Sequence, residues 1–542
     1  MKKKNLINYL IIFGFSLIYI IVLLNKYYYA HDLDFHTSNI ISIANGISLT
    51  NPFPNKILPS LVNDLGYGVN IFYPVIQHLI GAYLYSIIGN INLTMKIYSI
   101  LLINLSGIAM YKLINKLFKN EKQALVTAIT YISMPYLYAD FFIRCALNEC
   151  FLFFLVPLIL LGIHYLIDDN NKFKFHLLFT LGYVVAINSH LVLSIYLTLI
   201  LLIYLFFQRK KVFKKEIIKE FIIASIFILT LTLNFTIPLI EHYNLGIYNI
   251  FNIDYTGINT VETVKIINYL LPVKHFDIPM YIPILFLMSF LYIFYKRNNI
   301  EKQDKNILKI FLIILIFSVL LAVSNFVWMI FPNLLKSIQF GWRMTLFIII
   351  AVSIISGYII NFLNNDIKKG FIILLSIILI STNYITSLST VIVDKEDIKF
   401  LNTETIKKWT KEYLPIESVD NIIKINQKEQ NLGIVSNDIK LEIISNNNPD
   451  MKFNIKNIEE ELTIEFPRIY YLGYRLTDNK NNTYKLTKNN KGLLSTKIKN
   501  DGTYKLEYKG TKLDNISYVL TFIFSIIFLI YIIYLKYNKK ES

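Results

Sequence analysis

Long apolar runs separated by short basic loops set the pattern of this chain. Runs long enough to cross a bilayer fall at 6–25, 94–115, 123–139, 148–167, 175–189, 191–207, 219–240, 279–295, 308–330, 344–363, 371–388 and 516–535. A further apolar stretch, 71–89, carries Pro74, Gln77 and His78, which suits a helix lying in the interface better than one facing lipid. The pattern predicts a polytopic α-helical membrane protein of about twelve crossings. After residue 388 the long runs stop. Alternating stretches such as Leu462 to Phe466 and Thr503 to Tyr508, with turn signals at Asp478-Asn479 and Asp501-Gly502, predict a small extracytoplasmic β domain. A helix is expected near its start, between Trp409 and Pro415. The expected division is 1–388 for the transmembrane part, with a first outer loop at 26–93; 389–514 for the β domain; and 515–542 for a final span and basic tail.

Composition agrees with the pattern. Hydrophobic residues make up 54% of the chain and the mean hydropathy is +0.48, which excludes an ordinary soluble enzyme. The net charge of +17 is concentrated in loops such as 112–122, 209–219 and 296–309, so no nucleic-acid partner is expected. If 71–89 does not cross, about 25 Lys and Arg lie on the cytoplasmic side against about 8 in the short outer loops. Lys2, Lys3 and Lys4 then hold the N-terminus inside, as an uncleaved anchor, and the C-terminal tail is inside too. The expected location is a bacterial plasma membrane. Cys145 and Cys150 are spaced for neither a disulfide nor a zinc site. GxGxxG, Walker, HExxH and GxSxG patterns are absent.

This topology places four polar groups on one outer face: His31, Asp32, Asp34 and His36; Asp140, Arg144, Asn148 and Glu149; Ser189 and His190; and Gln339, Trp342 and Arg343. Ionisable groups at a membrane exit are costly unless they are used. Asp32 and Asp34 either cap the following helix or act as acid–base groups. In an extended loop they point the same way; at a helix start they diverge. His31 and His36 can meet phosphate, tune a carboxylate or, with the two Asp, ligate a divalent metal such as Mg or Mn. Asp140 and Arg144 share a helix face if their segment is helical, so a local ion pair competes with phosphate binding by Arg144. Glu149 needs a cavity to face. His190 is either a turn residue or a site residue. Arg343 is either a snorkelling anchor beside Trp342 or a phosphate ligand. Tyr67, Phe72 and Tyr73 are the aromatics placed near substrate. The loop containing Lys274, His275 and Asp277 can cover the site.

Taken in order, these pieces resemble the GT-C superfamily of membrane glycosyltransferases, and within it the YfhO-like group, which overlaps a family labelled 6-pyruvoyl-tetrahydropterin synthase-related membrane proteins. The residues that carry the resemblance are His31 to His36, Tyr67-Gly68 with Phe72-Tyr73-Pro74, Ala139 to Glu149, His190 to Ser194, Gln339 to Arg343 and Glu412 to Pro415. Tyr470 to Tyr474 depart from that group's aromatic-Pro-Gly-Trp pattern. The resemblance implies a GT-C-like fold, a polyprenyl-phosphate-linked sugar as donor and a cell-envelope glycan or glycolipid as acceptor. It implies an outer-loop carboxylate, Asp34 or Asp32, as the base. Arg343, Arg144 and His190 are then expected at the donor phosphate, and His31, His36, Tyr67, Tyr73, Asp140, Glu149 and Gln339 around the substrates. Two other classes remain beside it: a transporter or flippase of lipid-linked sugars, and a non-catalytic envelope-assembly protein on the same frame.

Overall fold

The computed structural model describes residues 3–21, 23–24, 26–62, 64–251, 261–275, 277–330, 340–388, 390–393, 411–419, 433–434 and 440–538. Six helices are long and apolar enough to cross a membrane: Ile91–Phe118, Leu147–Asp169, Lys302–Val323, Gly341–Phe362, Gly370–Ser387 and Lys512–Asn538. A seventh span results if Lys215–Leu231 and Leu233–Tyr243, bent by 60° at Thr232, are one crossing. Asn5–Ile21, Ile76–Ile88, Leu191–Phe207 and Ile284–Tyr295 are shorter apolar helices. The chain is thus a multi-pass, mostly helical membrane protein, but the expected dozen full-length spans are not found among the described residues.

The differences have local causes. The expected span 123–139 is broken into Glu121–Ile132 and Pro135–Phe142, because proline starts a helix well and cannot continue one. The expected span 175–189 begins with a π-helical turn, His176–Thr180, before Leu181–Ile187. The Ile76–Ile88 helix remains at one end of the bundle. His78 in its first turn meets His36. The helix that follows it starts beside the end of the first, where Asn92 Nδ2 donates to the Lys26 carbonyl and Lys96 Nζ to that of Leu23.

Gly341–Phe362 and Leu147–Asp169 form the centre of the bundle, with 83% and 78% of their apolar windows buried, against 11% for the peripheral Lys512–Asn538. Close packing depends on a missing side chain at Gly357, where a Cβ would lie 2.0 Å from Thr127 Oγ1. Two ends follow from the pairings. At one end Lys116 meets Asp169 at 2.6 Å, Lys211 meets Asp168 at 2.6 Å and Asn120 donates to Asn361 at 2.7 Å. The other end carries residues 31–36, 140–149, 190 and 343. The Leu147–Asp169 helix joins them; Glu149 and Asp169 are about 30 Å apart along its axis.

Both terminal helices run between these ends. Asn8 bonds Tyr111 near the basic end, and Tyr531 bonds Glu220 there. Lys56 of the first outer loop meets Asp514 at the start of the last helix, 3.7 Å away.

The β domain contains a five-stranded antiparallel sheet in the order Thr483–Tyr484, Tyr474–Asp478, Gly502–Tyr508, Asp450–Lys456, Lys440–Asn447. A four-stranded sheet runs Thr487–Lys488, Leu493–Ile498, Leu462–Ile469, Gly433–Ile434. Phe453 and Tyr504 from the first sheet and Ile464, Phe466 and Leu494 from the second share one apolar core. Val391–Val393, inside the expected β domain, pairs instead with Tyr27–Tyr29 beneath the bundle's polar end. The final helix starts at Lys512, ahead of the expected 516. Of the helix expected near Trp409 to Pro415, Trp409 lies outside the described residues, residues 411–414 are turn and bend, Pro415 bridges to Tyr248, and a helical turn follows at 416–419.

Candidate functional site

Two backbone hydrogen bonds bring the first acidic cluster to the second polar group. His31 N–H donates to the Ile143 carbonyl at 3.0 Å and Asp32 N–H to that of Arg144 at 2.8 Å. The receiving turn passes through Cys145 with φ +55°, which turns the chain into the Leu147–Asp169 helix. The Leu33–Gly46 helix starts immediately after Asp32. Asp32 sits at the cap position, yet its side chain makes no capping bond. With the helix beginning at residue 33, Asp32 and Asp34 diverge instead of pointing together.

Asp32 is exposed to solvent, with protein crowded around its carboxyl. That surrounding mass raises its carboxyl above the usual range, against the pull of Arg144. Glu149, His31 and Arg343 are its other electrostatic neighbours. Asp34 is half-buried in the first helical turn.

Glu149 is the hub of the site. Its carboxylate takes two parallel bonds from Arg144, at 2.8 and 2.9 Å, a bond from Arg343 Nε at 2.9 Å, and has His190 Nε2 at 3.6 Å. Its side chain is 3% exposed, so these contacts act with little water between them. Arg144 also donates to Asp140 Oδ1 and lies over the Trp342 ring at 4.6 Å. Arg343 lies over Phe340 at 4.9 Å. Both guanidinium planes are therefore fixed by an anion and an aromatic face. Asp140 Oδ2 is buried with no bonded partner.

His190 caps the Leu191–Phe207 helix: its Nδ1 accepts from Leu193 N–H at 3.1 Å. The proton then resides on Nε2, facing Glu149. Asn148 Nδ2 ties the adjacent turn by donating to the Ser189 carbonyl at 2.8 Å.

Beside this cluster is an aromatic and imidazole wall. The His36 Nδ1 and His78 Nε2 atoms are 2.8 Å apart. Tyr73 stacks on His78 at 5.8 Å, and Phe35 touches His36, Tyr73 and His78 edge-on. Burial holds His36 well below its usual range, so the ring is neutral. His78 Nδ1 is buried without a partner. A lone pair is less costly to orphan than an N–H, so His78 donates from Nε2 and His36 keeps its own proton on Nε2. Burial raises the Tyr73 hydroxyl; Asp32, Glu149, Glu412 and Arg343 are its charged neighbours.

Most of the expected residues thus meet at one end of the bundle: His31, Asp32, Asp34, His36, Tyr73, Asp140, Arg144, Glu149, His190 and Arg343. Tyr67 does not. Its buried ring lies against Tyr413, 5.9 Å away, in an apolar cluster with Tyr471 at the seam with the β domain. Gln339 lies outside the described residues.

The segment after residue 260 flanks the site, since Gly341 N–H donates to the Glu262 carbonyl and Glu262 in turn holds His275 at 2.9 Å. Among the described residues no three His, Cys, Asp or Glu side chains are grouped to hold a metal ion. His78 and Glu412 join the site without having been expected there. His78 was visible only as a polar residue on an apolar stretch, and Glu412 only as part of the Glu412 to Pro415 motif.

No protein-family model matches the chain, and no curated protein matches it significantly. Among solved structures it is similar to the archaeal oligosaccharyltransferase AglB from Archaeoglobus fulgidus in complex with an inhibitory peptide and a dolichol-phosphate. That match has 11% identity, covers 76% of this chain and 60% of that one, and has a TM-score of 0.47. It is also similar to the Archaeoglobus fulgidus oligosaccharyltransferase tethered with an acceptor peptide, at 13% identity over 79% of this chain and 57% of that one, with a TM-score of 0.45. The chain spans less than two thirds of the length of these structures.

Proposed function

We propose that this protein is a membrane glycosyltransferase of GT-C type. It moves a sugar from a polyprenyl-phosphate donor to a cell-envelope glycan or glycolipid at the outer face of the membrane. The observation that supports the reading is the joining of an accessible, uncapped carboxylate, Asp32, to two guanidinium groups fixed on a buried Glu149. Base and phosphate-facing cations are what transfer from a lipid phosphate requires. The basic end of the bundle, with both chain termini, faces the cytoplasm, and the site faces outward.

In this mechanism Asp32 takes the proton of the acceptor hydroxyl as its oxygen attacks the anomeric carbon. The bond from that carbon to the phosphate oxygen breaks, and the phosphate leaves with the bonding electrons. Arg343, held by Glu149 through Nε, faces the developing charge with its remaining N–H groups, and His190 lies on the same Glu149 carboxylate. Arg144 is bound to Glu149 and Asp140 and is a positioning residue that holds the carboxylate on which Arg343 rests. Asp34 is the second carboxylate, on the neighbouring helical face. The partly exposed Tyr73 presents its hydroxyl to the acceptor, and the buried His36–His78 pair backs its ring.

The test is transfer from a matched polyprenyl-phosphate sugar by purified protein. Asp32→Asn lowers it by about 10²–10⁴-fold and Asp34→Asn reduces it less. Wild-type transfer by both single variants and the double variant overturns the reading. Reconstituted protein that translocates the lipid-linked sugar with no new glycosidic product assigns it to the transporter class.

A further inference from the structure

A second polar concavity lies away from the Glu149 hub, at the seam between the first outer loop and the β domain. It is a cavity of about 280 Å³ lined by Pro59, Ser60, Asp64, Asn446, Asn448 and Arg468. That volume is near the lower end of small-ligand pockets, roughly 300–1,000 Å³.

Its walls are fixed in advance. Arg468 belongs to the Leu462–Ile469 strand and is 1% exposed, in a run whose neighbours are buried and apolar. Its guanidinium donates to the carbonyls of Pro449, Pro467 and Asp450 and to the Asn446 side-chain oxygen. It makes no ion pair among the described residues; Asp64 is within electrostatic reach. Asn448 reaches across the seam, its amide donating to the Pro59 carbonyl at 3.0 Å and to that of Asp64. The loop is bent to meet it. Val62 and Asp64 have φ of +57° and +59°, a region that a β-branched residue such as Val62 rarely occupies.

The lining has a carboxylate, a guanidinium, two amides and a hydroxyl, and no aromatic ring. A phosphate or carboxylate would meet Asp64. A polyhydroxyl ring can donate to the Asp64 carboxylate and accept from the Asn446 amide, whose oxygen is held by Arg468. We infer that this cavity is a saccharide subsite that holds one neutral hexose of the acceptor, away from the reacting end.

The term acceptor rests on the transfer reading; the saccharide assignment does not. Tyr73 at the site is nine positions on from Asp64, at most about 30 Å of chain. A glycan of several sugars spans that distance, so the subsite selects extended acceptors over single sugars. Without a stacking ring, affinity for one hexose is weak.

The experiment is saturation-transfer NMR on the full chain in nanodiscs, with methyl glucoside, methyl galactoside, methyl mannoside and N-acetylglucosamine as separate probes. At least one gives a protein-dependent signal. Asp64→Asn weakens it about tenfold, the effect of a hydrogen bond that loses its charged partner, and Asn446→Ala about threefold to tenfold, the effect of one lost neutral hydrogen bond. Asp32→Asn leaves it unchanged. Asn tolerates the backbone of residue 64 as Asp does, and when Asn446 is truncated the Arg468 Nη2 keeps its bond to the Asp450 carbonyl.

No signal from any of the four probes overturns the inference, as does a signal that both variants keep. Displacement of the signal by inorganic phosphate overturns the neutral-sugar assignment. Hexose binding without any transferase activity removes the transfer reading and leaves the subsite; transfer activity without hexose binding does the reverse.

Discussion

The two ends of the bundle carry charge in different ways. At the basic end, Lys116 pairs with Asp169 and Lys211 with Asp168, between side chains 19–45% exposed. These are flexible ammonium groups next to water, at helix ends, and such pairs contribute about 0–1 kcal/mol. At the polar end, one buried carboxylate is shared by two planar guanidinium groups, each laid on an aromatic ring. Breaking such a cluster leaves an uncompensated buried charge. Charge at the first end sits beside water in loosely held pairs. Charge at the second is held still, which is what transition-state electrostatics needs.

The comparison can be broken in four ways, from the largest expected effect to the smallest. Asp32→Asn lowers the transfer rate by about 10²–10⁴-fold, the usual contribution of a general base, in single-turnover assays. An undiminished rate would leave the polar end a structural clamp like the other. Glu149→Gln strands Arg144 and Arg343 and lowers unfolding free energy by about 3–5 kcal/mol, read as a fall in melting temperature in detergent. Asp169→Asn, the matched change at the basic end, costs about 0–1 kcal/mol in the same assay. Equal losses would erase the distinction.

The smallest effect is a displaced pH limb. The raised Asp32 carboxyl must be ionised to act as a base, so kcat/KM falls with acidification at a pH above the ordinary Asp value of about 3.9. The limb is absent from any residual activity of Asp32→Asn; a limb that persists assigns the titration to another group.

The broad architecture was legible from hydropathy and Lys/Arg placement. Treating 71–89 as non-crossing was enough to put residues 31–36, 140–149, 190 and 343 together, because each lies at the end of an apolar run. What hydropathy does not encode is breakage inside a run: Pro135 splits one expected span, and a π-turn opens another. Nor does residue type show which charges are already paired. Arg144 has the chemistry of a phosphate ligand, yet Glu149, five residues on, takes two of its donors. Tyr67 and Tyr73 look alike in sequence. Both rings approach Tyr413, and only tertiary packing buries Tyr67 in the apolar seam while it stacks the partly exposed Tyr73 on His78. Val391–Val393 reads as part of the β domain until its partner, Tyr27–Tyr29, is known.

The central claim is that Asp32 and the Glu149 hub share one outward-facing site about 30 Å from the basic end. Membrane-impermeant maleimide labelling of intact cells tests it, with the buried Cys145 and Cys150 replaced by alanine and single cysteines introduced as His31→Cys and Lys119→Cys. The account predicts that the cysteine at 31 labels from outside and the cysteine at 119 only after permeabilisation. Labelling of both from the same side would contradict it.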